Sequence, residues 1–75
     1  MHIEFKLPTG AGGQAAAYVN TLLDRELREW GQQHNVQYTK QILHYKVIVT
    51  LEHDEAYTLF VLSWRFTKPE YRVCD

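Results

Sequence analysis

The stretch "TGAGGQ" at residues 9–14 sits between an alternating segment and a helical one, and its glycines raise the possibility of anion chemistry. A glycine-rich turn entering a helix offers free backbone N–H groups and the positive end of the helix dipole. A phosphate-cradling P-loop also needs Lys followed by Ser or Thr, and neither follows Gly13. A dinucleotide fingerprint needs G-x-G-x-x-G within a β-α-β unit; here Gly10 and Gly12 are followed by Ala15, and 75 residues are too few for that fold. The Gly10–Gly13 turn is therefore expected to be a corner that folds the helix back, without an assigned ligand.

The other chemical residue types are dispersed. His2, His34, His44 and His53 show neither the i,i+4 nor the C-x-x-C spacing that brings metal ligands together. "EHDE" at 52–55 clusters acidic groups at a turn, where consecutive side chains point apart. Cys74 is the only cysteine, which excludes an internal disulfide and mildly favours a reducing compartment. His44 opposite Arg65, beside Lys46 and Ser63, is the one pairing suited to acid–base work, but no activating carboxylate or pocket accompanies it. The sequence implies no catalytic residue, no metal and no cofactor, and points away from an enzyme.

The elements that would position these residues follow from periodicity. Ile3, Phe5 and Leu7 alternate with His2, Glu4 and Lys6, which predicts a strand over 1–8 closed by Pro8. Ala16, Val19, Leu23, Leu27 and Trp30 form one stripe at the helical period, widened by Ala15, Tyr18 and Leu22. The helix runs from about Gln14 to between Trp30 and His34, with Gly31 or Asn35 as its C-terminal cap. Opposite charges at Asp24/Arg28 and Arg25/Glu29 lie on its solvated side.

In the second half, Leu43, Tyr45, Val47, Val49 and Leu51 alternate on one segment, and Phe60, Leu62, Trp64 and Phe66 on another. The expectation is a long C-terminal β-hairpin with residues 53–56 as its loop, in which Val49 meets Phe60 and Tyr45 meets Trp64. The fold class is α+β, in the order β-α-β-β. One amphipathic helix covers Phe5, Tyr45, Val47, Leu62 and Trp64 on one face of a three-stranded sheet. The first strand is expected antiparallel to the third, giving order 2-3-1. No internal repeat, linker or low-complexity tract divides residues 1–75, which read as one domain. Trp30, Phe60 and Trp64 are expected in the core.

That hairpin carries an unusually apolar second face. Tyr38, Ile42, Ile48, Leu59, Val61 and Tyr71 fall there, and a contiguous exposed apolar patch is a signature of association. The same face carries Lys40, His44, Lys46 and Arg65 among tyrosines, which is how sheet-based binders of single-stranded nucleic acid are built. A net charge of −1, from eight basic and nine acidic side chains, weighs against binding held mainly by bulk charge. The N-terminal "MHIEFKLP" lacks the apolar core of a signal peptide, and no run is long enough to span a bilayer, so a soluble cytoplasmic protein without membrane association is expected. Together these features favour a small non-enzymatic interaction protein, homodimeric through that sheet face or through the edge of the sheet. It would act as a regulator or inhibitor on a larger macromolecule, as phage-type inhibitors do by analogy. A single-stranded nucleic-acid-binding module is the alternative.

Overall fold

The computed structural model describes residues 1–8, 13–66 and 69–75. The elements run β1 (His2–Lys6), α1 (Gln14–His34), β2 (Tyr38–Leu43), β3 (Lys46–Leu51), α2 (Asp54–Ser63) and β4 (Tyr71–Cys74). The four strands form one sheet of order β2-β3-β1-β4, antiparallel throughout. This is the connectivity of the split β-α-β, or ferredoxin-like, arrangement, which serves many unrelated functions and names none. The α+β class holds. The three-stranded sheet with a single helix does not, because a second helix and a fourth strand occupy the C-terminal half.

The first half forms as its periodicity dictates. β1 buries Ile3 and Phe5 completely and leaves Glu4 and Lys6 on the opposite face. α1 buries Leu23, Leu27 and Trp30 along its stripe, while Tyr18 stands exposed. Asn35 caps the helix in a left-handed conformation (φ 55°), and its backbone N–H donates to Gly31 O. Gly31 does different work within the last turn: a Cβ there would lie 2.9 Å from Val36 O and 3.2 Å from the Tyr38 ring. Arg28 pairs with Asp24 at 3.0 Å as expected, but Arg25 pairs with Glu26 rather than Glu29. Of the glycine-rich turn, Gly10 and Gly12 lie outside the described residues. Gly13 precedes α1 with φ 67°.

Two corrections reshape the second half. The chain reverses at His44–Tyr45, so the hairpin joins Tyr38–Leu43 to Lys46–Leu51, with Tyr38 opposite Leu51 and Ile42 opposite Val47. A two-residue reversal flips the alternation: even-numbered residues of β2 share a face with odd-numbered residues of β3. The alternation continues across the turn without Gly, Pro or Asn, so nothing in the sequence marks it. Tyr45 pays for the turn with a left-handed φ of 55°, a conformation unfavourable for an aromatic residue.

The second correction concerns residues 54–63, which are helical rather than the returning strand. Asp54 and Glu55 occupy the first turn, where carboxylates complement the helix dipole. The segment expected to be a loop is thus a helix start. Ala56, Tyr57, Phe60 and Trp64 are buried at helical spacing. β1 lies antiparallel to β3, as expected of the third strand, although that strand is Lys46–Leu51 and not residues 57–67.

Both helices lie on one face of the sheet. Ile3, Phe5, Val47, Val49, Leu51, Leu23, Leu27, Trp30, Phe60 and Trp64 belong to one buried cluster. Phe5 is its hub: its ring meets those of Phe60 and Trp64 edge-on and that of Tyr71 at a tilt, with centroids 5.7–6.0 Å apart. Trp30, Phe60 and Trp64 are core residues as expected, but Leu62 and Tyr45 are not covered. The Tyr57 hydroxyl donates to Met1 O at 2.6 Å and accepts from the Leu51 backbone N–H at 3.0 Å, joining α2 to two strands.

Candidate functional site

Two surfaces stand out from the fold. The first is the C-terminal end of α2 and the groove beside it. α2 buries Ala56, Tyr57 and Phe60 and turns Asp54, Glu55 and Thr58 outward, but on its outer side the last turn offers only Val61 and Leu62. Adjacent apolar side chains left in solvent at a helix end mark a candidate contact surface. Here Val61 is 52% exposed and Leu62 81% exposed, and Phe66 follows them at the surface. Phe66 and Trp64 also wall a groove of about 740 Å³, closed on its other side by Val19, Leu22 and Leu23 of α1 and by Leu7 and Pro8. Charges of both signs, Lys6, Arg25, Glu26 and Glu70, border it.

The second surface is the open face of the sheet, centred on Glu4. The carboxylate accepts from the Cys74 thiol at 3.0 Å, from Lys46 Nζ at 3.2 Å and from Arg72 Nε at 3.1 Å. His2 Nε2 lies 3.9 Å away. Strand pairing accounts for the cluster: His2 faces Cys74 and Glu4 faces Arg72 across the β1–β4 ladder. The thiol, then Lys46 and then Arg72 stabilise the ionised carboxylate and hold its pKa at about 2, below the ordinary 4.5. The same contact, aided by partial burial, pushes the Cys74 thiol up.

On the helix-covered side, Lys40 of β2 reaches α1, where its ammonium donates to Asp24 at 2.8 Å and to Asn20 at 3.4 Å. Lys40 first and Arg28 second lower the pKa of Asp24. Burial first, and the Asp24 charge second, raise that of Tyr38.

The six residues expected to share an interface are therefore dispersed. Tyr38 is half-buried beneath α1 beside Gly31, and Ile42 is 57% exposed near the hairpin tip. Ile48 lies on the open face opposite Glu4. Tyr71 packs its ring against Phe5 and Phe60 in the core. Leu59 leans on the core from α2, leaving Val61 as the one that joins the exposed helix surface.

The four basic residues are dispersed too. Lys40 faces α1, His44 sits in the turn against Tyr45, Lys46 holds Glu4, and Arg65 is exposed after α2. Among the described residues, the strand positions of the open face carry no Phe, Tyr or Trp, and Tyr45, in the turn, borders the same hollow as His44, Lys46 and Arg72.

Leu62 and Phe66 escaped the sequence reading because a strand pattern assigned them to the core. The signal that would have found them was the acidic pair Asp54–Glu55 just before an apolar run, a helix-start mark. No described helix is long and apolar enough to cross a membrane. Comparison with family models, with curated proteins and with solved structures returns no match.

Proposed function

We propose that this chain is a non-enzymatic interaction protein that binds a larger protein through the end of α2 and its neighbouring groove. By occupying a surface of that partner it acts as a regulator or inhibitor. The observation that carries this reading is Leu62, 81% exposed beside the half-exposed Val61 at the apolar C-terminal end of α2. The surroundings fit an interface: an apolar centre of Val61, Leu62 and Phe66, a concave apolar groove, and a rim of mixed charge. A groove of this kind takes the apolar edge of a partner helix, with the rim charges setting its orientation. A standard interface takes about 800 Å² from each partner, a modest share of the 5288 Å² surface of this molecule.

The nucleic-acid alternative is less favoured, since Lys40 and Arg65 lie apart from His44 and Lys46 and the strands of the open face present no aromatic platform. Self-association through the sheet face is less favoured than a larger partner at α2, because that face is centred on the charged Glu4 cluster.

The test places a photo-crosslinking amino acid at position 62 in the native host and reads the mass of the product. A crosslink to one larger protein, lost when Val61→Glu is added, is the expected result. A product of twice the chain mass, together with a dimer in light scattering that Val61→Glu dissolves, would replace the larger partner with a second copy. Absence of any crosslinked product would overturn the reading.

A further inference from the structure

We propose that His2, Glu4 and Cys74 form a binding site for one transition-metal ion of the Zn²⁺ class on the open face of the sheet. The three side chains each offer one ligand atom, and all these atoms lie within 4.8 Å of one another. Zinc bonds of about 2.0–2.3 Å in tetrahedral geometry place neighbouring ligand atoms roughly 3.3–3.8 Å apart. His2 Nε2 is 3.9 Å and Cys74 Sγ 3.0 Å from Glu4 Oε2, on either side of that span. Small side-chain rotations therefore complete the site.

The backbone already holds the ligands. His2 and Cys74 are direct partners across the β1–β4 ladder, and Glu4 follows His2 by two residues on the same face. Sequence spacing hides this arrangement, because Cys74 and His2 stand at opposite ends of the chain. Imidazole, carboxylate and thiolate together form a donor set for Zn²⁺ or Co²⁺ rather than for Mg²⁺ or Ca²⁺, which take oxygen ligands. Three protein ligands leave one coordination position open for water or an outside ligand.

Lys46 and Arg72 compete with the metal for the carboxylate. Their side chains are 46% and 77% exposed, so both can turn into solvent as the ion enters and its positive charge replaces theirs beside the carboxylate. The thiol gives up its proton and its hydrogen bond to Glu4 at the same step. This site is separate from the α2 surface and does not depend on the partner-binding reading.

The experiment is a Co²⁺ titration of the reduced full chain, followed by absorbance. The expected result is a thiolate-to-cobalt charge-transfer band in the near ultraviolet that saturates at one equivalent and is displaced by Zn²⁺. Cys74→Ser abolishes the band. His2→Ala and Glu4→Gln weaken binding by roughly tenfold or more, since even partners outside the ligand set are worth about 10–100-fold. Arg72→Ala, which removes a competing cation, tightens it. In the wild-type protein, NMR shifts on adding Zn²⁺ centre on residues 2–4 and 72–74. No thiolate band in excess Co²⁺ would overturn the proposal. So would a band of unchanged affinity in folded His2→Ala and Glu4→Gln, or Zn²⁺-induced shifts centred around His53 instead.

Discussion

The Trp30 indole N–H donates to Ser63 Oγ at 2.8 Å, tying the last turns of α1 to the end of α2 across 33 positions of sequence. The Ser63 hydroxyl passes the bond on to Leu59 O within α2. The neighbouring indole is placed differently: Trp64 Nε1 is buried and has no hydrogen-bond partner among the described residues.

The two tryptophans should respond differently to the same substitution. Trp30→Phe removes a satisfied donor and some core volume, and is expected to cost about 1–3 kcal/mol. In Trp64→Phe the lost packing is offset by relief of an unsatisfied buried N–H, so the net change stays within about 1 kcal/mol of zero. Urea denaturation of both variants checks this; equal losses would mean that the Ser63 bond contributes nothing.

Gly31→Ala should destabilise the fold. In an open helix position alanine gains up to about 1 kcal/mol over glycine. At Gly31 the added methyl meets Val36 O at 2.9 Å, a backbone atom held by the capping turn. The Val36 N–H itself bonds back to Gly31 O at 2.9 Å. Overpacking of this kind costs about 1–3 kcal/mol, and it exceeds the propensity gain. A lower thermal midpoint in the variant is the expected outcome.

Tyr45→Asn should stabilise. Left-handed backbone costs a non-glycine residue about 1–2 kcal/mol, and asparagine tolerates it better than an aromatic residue. The Tyr45 carbonyl still accepts the Leu7 N–H after the change, because that bond is made by backbone. The edge-on contact with His44 and some packing of the half-exposed ring are lost, which offsets part of the gain. A gain of up to about 1 kcal/mol is expected, raising the thermal midpoint by roughly 4–8 °C per kcal/mol for a domain of this size.

Acid should weaken the wild-type fold through Glu4. Its pKa falls from 4.5 to about 2 on folding, so the folded state binds this proton less readily than the unfolded chain. The stability this supplies is complete above pH 4.5 and is lost as the pH falls through the window down to about 2. Asp24, also lowered, acts in the same direction. Stability measured against pH should show a shallower acid limb in Glu4→Gln; an unchanged limb would remove Glu4 as its source.

Much of the N-terminal half was legible in the sequence. The stripe from Ala16 to Trp30 spans many turns of helix, too long a pattern to imitate another element. Ile3 and Phe5 alternate with charged neighbours, which leaves one choice of buried face. The C-terminal half was ambiguous for a physical reason. In residues 56–66 every side chain but Thr58, Ser63 and Arg65 is apolar or aromatic, so Phe60, Leu62, Trp64 and Phe66 satisfy a strand while Ala56, Tyr57, Phe60 and Trp64 satisfy a helix. The Glu4 cluster was illegible altogether, since its members come from three strands and strand pairing alone brings them together.

Local patterning by itself determined β1, α1 and the burial of Trp30, Phe60 and Trp64, because each follows from contacts a few residues apart or from the cost of exposing a large ring; it left the cap of α1 open between Gly31 and Asn35. Tertiary structure alone decided that the chain turns at His44–Tyr45, that residues 54–63 coil, and that Cys74 returns beside His2. Those outcomes depend on which competing arrangement buries Phe5 most completely between two helices and a sheet. That comparison is between whole packings, and no short stretch of sequence contains it.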